Sequence, residues 1–214
     1  MKLYNYFRSS ASFRVRIALG LKGLPYEYAV VHLTRGGGQQ FAPAFRAINP
    51  DALIPVLEDD GHALTQSLAI IEYLEETRPQ PPLLPKDAPG RARVRSLSLL
   101  IACEIHPLNN RRVLQHLKGA LGQNEAQVNA WYRYWVADGL AKLEAQLART
   151  PGTGRYCHGD APTMADCCLV PQIFNAQRFQ CDTTAYPATM RVYAECMKLD
   201  AFERAQPDRQ PDAE

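Results

Sequence analysis

Three serines stand close together near the start of the chain, at positions 9, 10 and 12. They separate an aromatic-rich segment, residues 3–7, from a segment whose apolar residues recur at helical spacing. In one interpretation a serine here only caps the helix, which is the most common use of Ser at such a position. The other interpretation is chemical: a helix N-terminus offers unpaired N–H groups and a partial positive charge, and together with a hydroxyl it stabilises a bound anion such as a thiolate.

The chain supplies no thiol at this turn. All six cysteines lie between residues 103 and 196, so a thiolate stabilised by these serines must come from a ligand. The cysteines form no C-x-x-C pair and are irregularly spaced, which favours reduced, buried, structural thiols over a disulfide framework. The five histidines show no metal-ligand spacing either. We therefore expect no metal site.

The elements that must position these serines alternate between strand and helix. The pattern predicts a strand at 3–7, a helix at 14–22 capped by Ser12 and stopped by Gly23, and a second strand at 26–31. This is a βαβ unit, which implies parallel strands. A weak helix at 41–47 follows, then a strand at 53–58, a turn at 59–61, a strand at 63–65 and a helix at 68–76 capped by Ser67. The predicted order is βαβαββα.

The rest of the chain has only helical patterns. A proline-rich stretch, residues 79–87, is typical of a stiff linker. Helices are predicted at 91–105, at 125–148, from a capping box at 163–166 to about residue 176, and at 186–198. The sequence thus predicts an α/β domain at 1–78, a linker at 79–87 and an all-helical domain at 88–214.

Composition narrows the class of protein. The chain has 214 residues, 46% of them hydrophobic, with 24 basic against 22 acidic side chains and a net charge of +2. Such values are typical of a globular protein and argue against general disorder and against nucleic acid as a partner. No segment has the unbroken apolar core of a signal peptide or a membrane span. We expect a cytoplasmic protein with no membrane association.

Several motifs, spread over nearly the whole chain in the right order, resemble those of the zeta class glutathione transferases, the family of the maleylacetoacetate isomerases. They are Arg8-Ser9-Ser10-Ala11-Ser12-Phe13-Arg14, Gly37-Gly38-Gln39-Gln40, Asn49-Pro50 ahead of Ile54-Pro55-Val56-Leu57, Gln66-Ser67-Leu68, Ile105-His106-Pro107-Leu108-Asn109-Asn110, Thr163-Met164-Ala165-Asp166 and Arg209-Gln210-Pro211-Asp212.

The resemblance implies a thioredoxin-like domain followed by a helical bundle, a homodimer, and glutathione as cofactor. It assigns the sulfur contact to Ser10, with Ser9 beside it, a cis peptide at Pro55, and the γ-glutamyl carboxylate to the helix N-terminus at Gln66 and Ser67. The full set of glutathione-binding residues implied by the resemblance is Ser9, Ser10, Ser12, Arg14, Gln40, Ile54, Pro55, Gln66, Ser67, His106 and Asn110. Without the resemblance, His106 would be interpreted as a structural residue next to a proline.

A small dicarboxylate is the substrate class that the resemblance implies. Arginine is the expected partner because its planar guanidinium binds carboxylates bidentately. Arg8, next to the sulfur site, is the first candidate and is also placed among the catalytic residues; Arg111 and Arg178 are further candidates. One common form of the family motif has Cys where this chain has Ala11, which puts the positioning of the substrate in doubt.

The activity implied is glutathione-dependent cis–trans isomerisation of maleylacetoacetate to fumarylacetoacetate in aromatic catabolism. Three alternatives stay open: the same reaction on maleylpyruvate, transfer of glutathione to α-haloacids, and a non-catalytic binding protein of the same fold. Pocket length would decide between the two isomerase substrates, and the sequence does not give it.

Overall fold

A computed structural model describes all residues from Met1 to Glu214. The chain forms two compact units. The first consists of residues 1–83 together with 197–214, and the second of residues 84–196. The segment 197–214, which the sequence analysis placed with the helical domain, thus groups with the first unit. The functional division at residues 78 and 88 stays a prediction.

The first unit is built on a four-stranded mixed sheet with strand order β2-β1-β3-β4. Strand β1 pairs in parallel with β2 and antiparallel with β3, and β3 and β4 form a hairpin. The βαβ prediction is confirmed, as is the turn at 59–61, where Asp60 and Gly61 have positive φ. Its elements are β1 (Lys2–Asn5), α1 (Ser10–Leu21), β2 (Glu27–Val30), α2 (Pro43–Ile48), β3 (Val56–Asp59), β4 (His62–Thr65), α3 (Ser67–Thr77) and α9 (Asp200–Arg204).

Alternation along the strands gives the sheet an apolar layer on each face. Leu3 and Leu57 pack with α1 and α3 in a cluster completed by Val15, Leu19, Ile70 and Leu74. The next residues along the strands, Tyr4 and Val56, belong to a second cluster with Phe45 of α2. Helix α2 therefore covers the face opposite to α1 and α3. The packing of α1 and α3 on the buried core fixes the positions of their N-termini, which belong to the site described below.

The C-terminal segment packs on α1 in the first unit. Gly20 allows this approach, since a Cβ there would lie 3.3 Å from the Cβ of Ala201. A short 3₁₀ turn, Pro207–Arg209, follows α9. The segment thereby continues the helical layer that supports the sheet.

A buried ion pair joins the C-terminal ends of α1 and α3. Lys22, just beyond α1, lies 2.8 Å from the Glu75 carboxylate of α3 and also donates to the carbonyls of Arg78 and Pro81. Glu75 accepts from the Leu83 backbone N–H at 2.9 Å. Both charges are thus matched by hydrogen bonds, which is the condition for burying them at little cost.

The second unit is all helical. It contains α4 (Ala88–Leu99), which continues as a π-helical segment over Leu100–Ile105, then α5 (Arg111–Gly119), α6 (Glu125–Arg149), α7 (Met164–Arg178) and α8 (Pro187–Cys196). The predicted capping box is present: the fully buried Asp166 accepts from the Thr163 and Cys157 backbone N–H groups. Gly139 of α6 lies against Ile105, whose Cγ1 would be 2.3 Å from a Cβ at that position.

Two outcomes for the helices and one for the cysteines differ from the predictions. The predicted helix 91–105 begins at Ala88 and changes from α to π geometry at Leu100. Helix α5 was not predicted, because Arg111–Gly119 has few apolar residues and only Leu117 is buried. The cysteines form no disulfide and four are buried, but Cys103 is exposed and Cys181 partly exposed. No helix has the length and apolar composition of a membrane span.

Candidate active site

Helix α1 begins at Ser10, four residues before the predicted start at residue 14. Its N-cap is Ser9, whose Oγ accepts from the Ser12 backbone N–H at 3.2 Å. Ser12 lies inside the helix, fully buried, and its Oγ has no hydrogen-bond partner. The Ser12 cap was therefore a wrong prediction: all three serines are good N-caps, and only the backbone shows which of them has extended geometry. Ser10 opens the helix and is 7% exposed, while Arg8 is exposed.

A buried arginine, Arg16, stabilises the turn between β1 and α1 by hydrogen bonds to its backbone. Arg16 is 2% exposed and donates to the carbonyl oxygens of Tyr6 and Phe7, to Asn5 Oδ1 and to the carbonyl of Ala205. Desolvation lowers its pKa to about 10, which leaves the guanidinium protonated at neutral pH. It therefore places a positive charge directly behind the turn that carries Ser9 and Ser10.

Helix α3 begins at Ser67, so its N-cap is Gln66 and not Ser67 as predicted. Gln66 has φ of +66° and ψ of 114°, and its side chain makes no capping hydrogen bond. A positive φ is costly for a residue with a Cβ and is typical of functional sites. The uncapped first turn leaves N–H groups for an anionic ligand. Behind it, the buried Arg14 donates to Ser67 Oγ at 3.3 Å.

The peptide between Ile54 and Pro55 is cis, as the resemblance implied. Pro55 is buried and Ile54 is partly exposed immediately before β3. The preceding loop is held by Asn49, whose side-chain amide donates to the Leu53 carbonyl at 2.8 Å. The predicted strand at 53–58 thus begins later, at Val56, and leaves Ile54 as loop backbone next to the strand.

Gln40 lies in the loop between β2 and α2. It is 4% exposed, and its Oε1 has no hydrogen-bond partner in the chain. A buried amide oxygen without a partner is unfavourable by roughly 1–3 kcal/mol. Such a group fits a site that is completed by a ligand carrying N–H or ammonium donors.

The predicted site residues of the second unit surround the end of the π-helical segment. His106 follows that segment directly, and its Nε2 lies 3.5 Å from the amide nitrogen of Asn110. Asn110 is the N-cap of α5 and accepts from the Arg112 backbone N–H. Trp131 of α6 fixes this turn by donating to the Leu108 carbonyl at 2.7 Å. The sequence did not indicate this role of Trp131.

The two arginine candidates of the second unit lie at opposite ends of helices. Arg111 is the first residue of α5 and is partly exposed, whereas Arg178 is the last residue of α7, is exposed and lies over the Phe179 ring. The location of these two arginines in the unit does not identify a substrate group that either guanidinium would bind. Their role as substrate ligands stays a prediction.

Three of the thiols are poorly suited to nucleophilic chemistry, which needs the thiolate. Burial raises the pKa of Cys157 well above its ordinary value, and it also raises the pKa of Cys181 and of Cys196. No group of three or more His, Cys, Asp and Glu side chains is arranged to hold a metal ion. The chemistry available to the first unit is therefore the binding of anions at two helix N-termini, which includes a ligand's thiolate and carboxylate.

Within the first unit, the structure brings the serine turn, Gln40, the Ile54–Pro55 peptide and the start of α3 onto the loops at one end of the sheet. The serine turn and Gln40 follow the parallel strands β1 and β2, the Ile54–Pro55 peptide precedes the antiparallel β3, and α3 follows β4, so all four lie at the same end. A tripeptide thiol with two carboxylates matches this set of partners. The start of α3 accommodates a carboxylate, the start of α1 a thiolate, and Gln40 a hydrogen-bond donor. These observations agree with the glutathione site implied by the resemblance.

Comparison with known proteins gives a consistent result. Residues 3–82 match the family model described as glutathione S-transferase, N-terminal domain, and residues 125–195 match that described as glutathione S-transferase, C-terminal domain. A maleylpyruvate isomerase from a Ralstonia species is 53% identical over 213 residues, covering 100% of both chains. A maleylacetoacetate isomerase from Mus musculus is 48% identical over 211 residues, covering 98% of this chain and 94% of the mouse protein.

Solved structures show the same similarity. The holo structure of a maleylpyruvate isomerase, a bacterial zeta class glutathione transferase, superposes with a TM-score of 0.97 at 52% identity over the whole of both chains. The structure of a maleylacetoacetate isomerase from Methylobacterium extorquens AM1 with bound malonate and glutathione superposes with a TM-score of 0.96 at 46% identity, again over the whole of both chains.

Proposed function

The chain belongs to the zeta class of the glutathione S-transferase family, and on this premise we propose that it catalyses the glutathione-dependent cis–trans isomerisation of a small unsaturated dicarboxylic keto acid. The first candidate substrate is maleylacetoacetate, with fumarylacetoacetate as product. The observation that carries the proposal is the full-length identity of 53% and 48% with curated isomerases of the two related activities.

Glutathione, when bound, supplies the thiol whose addition to the double bond permits rotation and whose elimination restores it. The chain's own contribution begins at α1. Ser10 donates its hydroxyl to the sulfur, Ser9 fixes the start of the helix, and the helix N-terminus favours negative charge there. The Arg16 guanidinium behind the turn adds to this field. Electrostatic stabilisation by groups fixed in advance is the main catalytic effect available here.

The remaining residues of the first unit hold the cofactor in place. Ser67 and the uncapped first turn of α3 bind the γ-glutamyl carboxylate, with Gln66 beside them and Arg14 orienting Ser67 from behind. The backbone of Ile54, ahead of Pro55, provides an edge to which a peptide can bind like a strand. Gln40 binds toward the glycine end of glutathione. In the second unit, His106 and Asn110 complete the proposed set.

Arginines are proposed for the substrate carboxylates. Arg8 adjoins the serine turn and lies over the Phe7 ring with its guanidinium exposed, so it is available to a second ligand. Arg111 and Arg178 are the candidates in the second unit. No cysteine follows Ser10, since Ala11 occupies that position, and the proposed reaction needs no thiol from the protein.

Maleylpyruvate is the second candidate substrate. The observation in its favour is that identity with the Ralstonia maleylpyruvate isomerase, 53%, exceeds the 48% found with the maleylacetoacetate isomerase from Mus musculus. The two acids differ in length and share the cis double bond conjugated to a carbonyl. The same residues would therefore act on both.

The test is an ultraviolet absorbance assay with maleylacetoacetate and with maleylpyruvate, each with and without glutathione. We expect isomerisation that requires glutathione, without net consumption of it, and the larger kcat/KM identifies the preferred acid. Equal rates without the thiol would contradict the mechanism, and failure of the protein to bind immobilised glutathione would contradict the activity as a whole.

We also propose that residues 1–78 form the glutathione domain and 88–214 the substrate domain, and that the protein acts in the cytoplasm as a homodimer. The family supports the dimer, and sedimentation equilibrium tests it: a mass of twice 23.9 kDa is expected.

A further inference from the structure

Two acidic side chains of the C-terminal segment, Asp212 and Glu214, contact the loops that carry the proposed glutathione residues. Asp212 Oδ2 accepts from the Phe7 backbone N–H at 3.1 Å, and its Oδ1 accepts from the Tyr28 hydroxyl. Phe7 is 3% exposed and lies two residues before Ser9. Burial and the hydrogen bond to Asp212 raise the pKa of Tyr28, so the phenol stays a donor. Asp212 thus joins the serine turn to strand β2.

The peptide groups of Phe7 are held on both sides. Its N–H donates to Asp212, and its carbonyl accepts from Arg16 Nη2 at 3.0 Å. Asp212 also interacts electrostatically with the Arg16 guanidinium. A carboxylate bonded to a backbone N–H in this setting makes a charge-assisted hydrogen bond, which is stronger than a neutral one. Removal of Asp212 would leave the turn fixed from one side only.

Glu214 acts in the same way on the other loop. Its Oε1 lies 3.1 Å from His32 Nε2 and is also paired with Arg35, which holds the pKa of Glu214 below its ordinary value. His32 Nδ1 accepts from the backbone N–H groups of Thr34 and Arg35, so Nε2 carries the proton that is donated to Glu214.

His32 in turn organises the loop that ends at Gln40. Its backbone N–H donates to Gln39 Oε1 at 2.7 Å, and its carbonyl accepts from the Gln39 backbone N–H at 2.8 Å. The imidazole is 1% exposed and packs edge-on against the Tyr6 ring, with the ring centroids 4.7 Å apart. The chain of contacts therefore runs from Glu214 through His32 and Gln39 to the buried amide of Gln40.

We propose that Asp212 and Glu214 are positioning residues for the glutathione site, Asp212 for the turn of the thiol-binding serines and Glu214 for the loop of Gln40. This inference rests on the proposed function. It assigns to the C-terminal segment a separate effect on each end of the cofactor: Asp212 affects the ionisation of the bound thiol, and Glu214 affects affinity alone.

The variants are Asp212→Ala, Asp212→Asn and Glu214→Ala, with Glu203→Ala as the matched control. Glu203 is a carboxylate of the same segment, and its partners, Arg209 and Gln206, also belong to that segment. Asp212→Asn keeps one oxygen that can accept from the Phe7 N–H. Isothermal calorimetry measures the Kd for glutathione, absorbance of the thiolate against pH gives the pKa of the bound thiol, and urea unfolding measures stability.

For Asp212→Ala we expect a Kd about ten-fold higher, the effect of losing one charge-assisted hydrogen bond, and a bound-thiol pKa higher by about half a unit or more. Asp212→Asn should recover most of the thiol pKa. Glu214→Ala should raise Kd about three-fold, because its ion pairs are partly exposed, with the thiol pKa unchanged. Glu203→Ala should change neither quantity, whatever its stability.

Wild-type values for both Asp212→Ala and Glu214→Ala would overturn the inference, and so would equal losses in Glu203→Ala. If Asp212→Ala does not fold, Asp212→Asn and Glu214→Ala decide. An unchanged Kd in Glu214→Ala contradicts the role of Glu214, and a thiol pKa in Asp212→Asn that departs from the wild-type value by about half a unit or more contradicts the role of the Phe7 hydrogen bond. Wild-type protein that does not bind glutathione would instead contradict the proposed function.

Discussion

Helices α1 and α3 both begin at a serine that follows another polar residue, yet their N-termini are completed in opposite ways. At α1, Ser9 has extended geometry and its hydroxyl bonds the helix backbone. At α3, Gln66 has a positive φ and its side chain makes no bond to the helix. The chain itself therefore supplies one capping hydrogen bond to the first turn of α1, whereas no side chain caps the first turn of α3. We therefore expect separate roles for the two helix ends: the α1 end acts through a serine hydroxyl, and the α3 end binds a carboxylate through its backbone N–H groups.

The largest effect is expected from Ser10→Ala. Loss of the hydroxyl that we propose donates to the sulfur should lower kcat/KM about 100-fold, as for loss of one preorganised donor. The bound thiol should need a higher pH to ionise, so the acid limb of the pH–rate profile should move to higher pH. Steady-state kinetics between pH 5 and 9 measure both changes. An unchanged profile would mean that another group contacts the thiolate.

Ser67→Ala tests the other half of the comparison. The expected result is a Kd for glutathione about ten-fold higher, because the proposed hydrogen bond to the γ-glutamyl carboxylate is lost, with the pKa of the bound thiol unchanged. Calorimetry combined with thiolate absorbance separates the two quantities. If Ser67→Ala raises the pKa of the bound thiol as Ser10→Ala does, the two helix N-termini do not have separate roles.

The two N-caps should respond to substitution with opposite signs in stability. Ser9→Ala removes a capping hydrogen bond and should lower the free energy of unfolding by about 1 kcal/mol. Gln66→Gly relieves a positive φ on a residue with a Cβ and should raise it by about 1 kcal/mol. Urea denaturation at neutral pH, without glutathione, measures both.

A loss of stability in Gln66→Gly would show that the side chain contributes contacts that outweigh the strain. Glutathione affinity in the same variant provides the complementary result. If the strained geometry serves the ligand, the glycine variant should be more stable and bind less tightly.

The smallest effect is expected from Ser12→Ala. Its hydroxyl is fully buried without a hydrogen-bond partner, so removal should change the unfolding free energy by less than about 0.5 kcal/mol. The same variant tests the glutathione-binding role that the resemblance implied for Ser12. A several-fold rise in Kd would support that role, and an unchanged Kd would leave Ser12 a packing residue.

Local sequence patterns were sufficient where local geometry decides. The βαβ order, the turn at 59–61 and the capping box at Thr163 and Asp166 follow from hydrophobic spacing and turn residues, and the structure confirms them. The wrong predictions concern N-caps, where neighbouring residues were equally suitable as the cap. Ser12 was preferred to Ser9 as a cap, and Ser67 to Gln66, because nothing in the sequence distinguishes a serine before a helix from one in its first turn.

Long-range partners account for the rest. Lys22 and Arg16 are charged residues of the kind expected on the exposed side of a helix. Both are buried because distant residues accept their hydrogen bonds: Glu75 and Pro81 accept from Lys22, and Ala205 accepts from Arg16. The same holds for Asp212, whose partner Phe7 lies 205 positions earlier in the chain. Contacts between side chains so far apart in sequence produce no periodic pattern. The residues of the site could therefore be proposed from the sequence, but the contacts that hold them in place could not.

The grouping of residues 197–214 with residues 1–83 has a consequence for biosynthesis. On the ribosome the sheet and its first helices emerge early, but the contacts of Ala205, Asp212 and Glu214 become possible only after residues 84–196 have been made. Domains generally fold as units as they are synthesised. Here the helical unit is complete in sequence before the sheet unit is, so the nascent sheet unit must wait for its last segment while the unit that follows it can already fold.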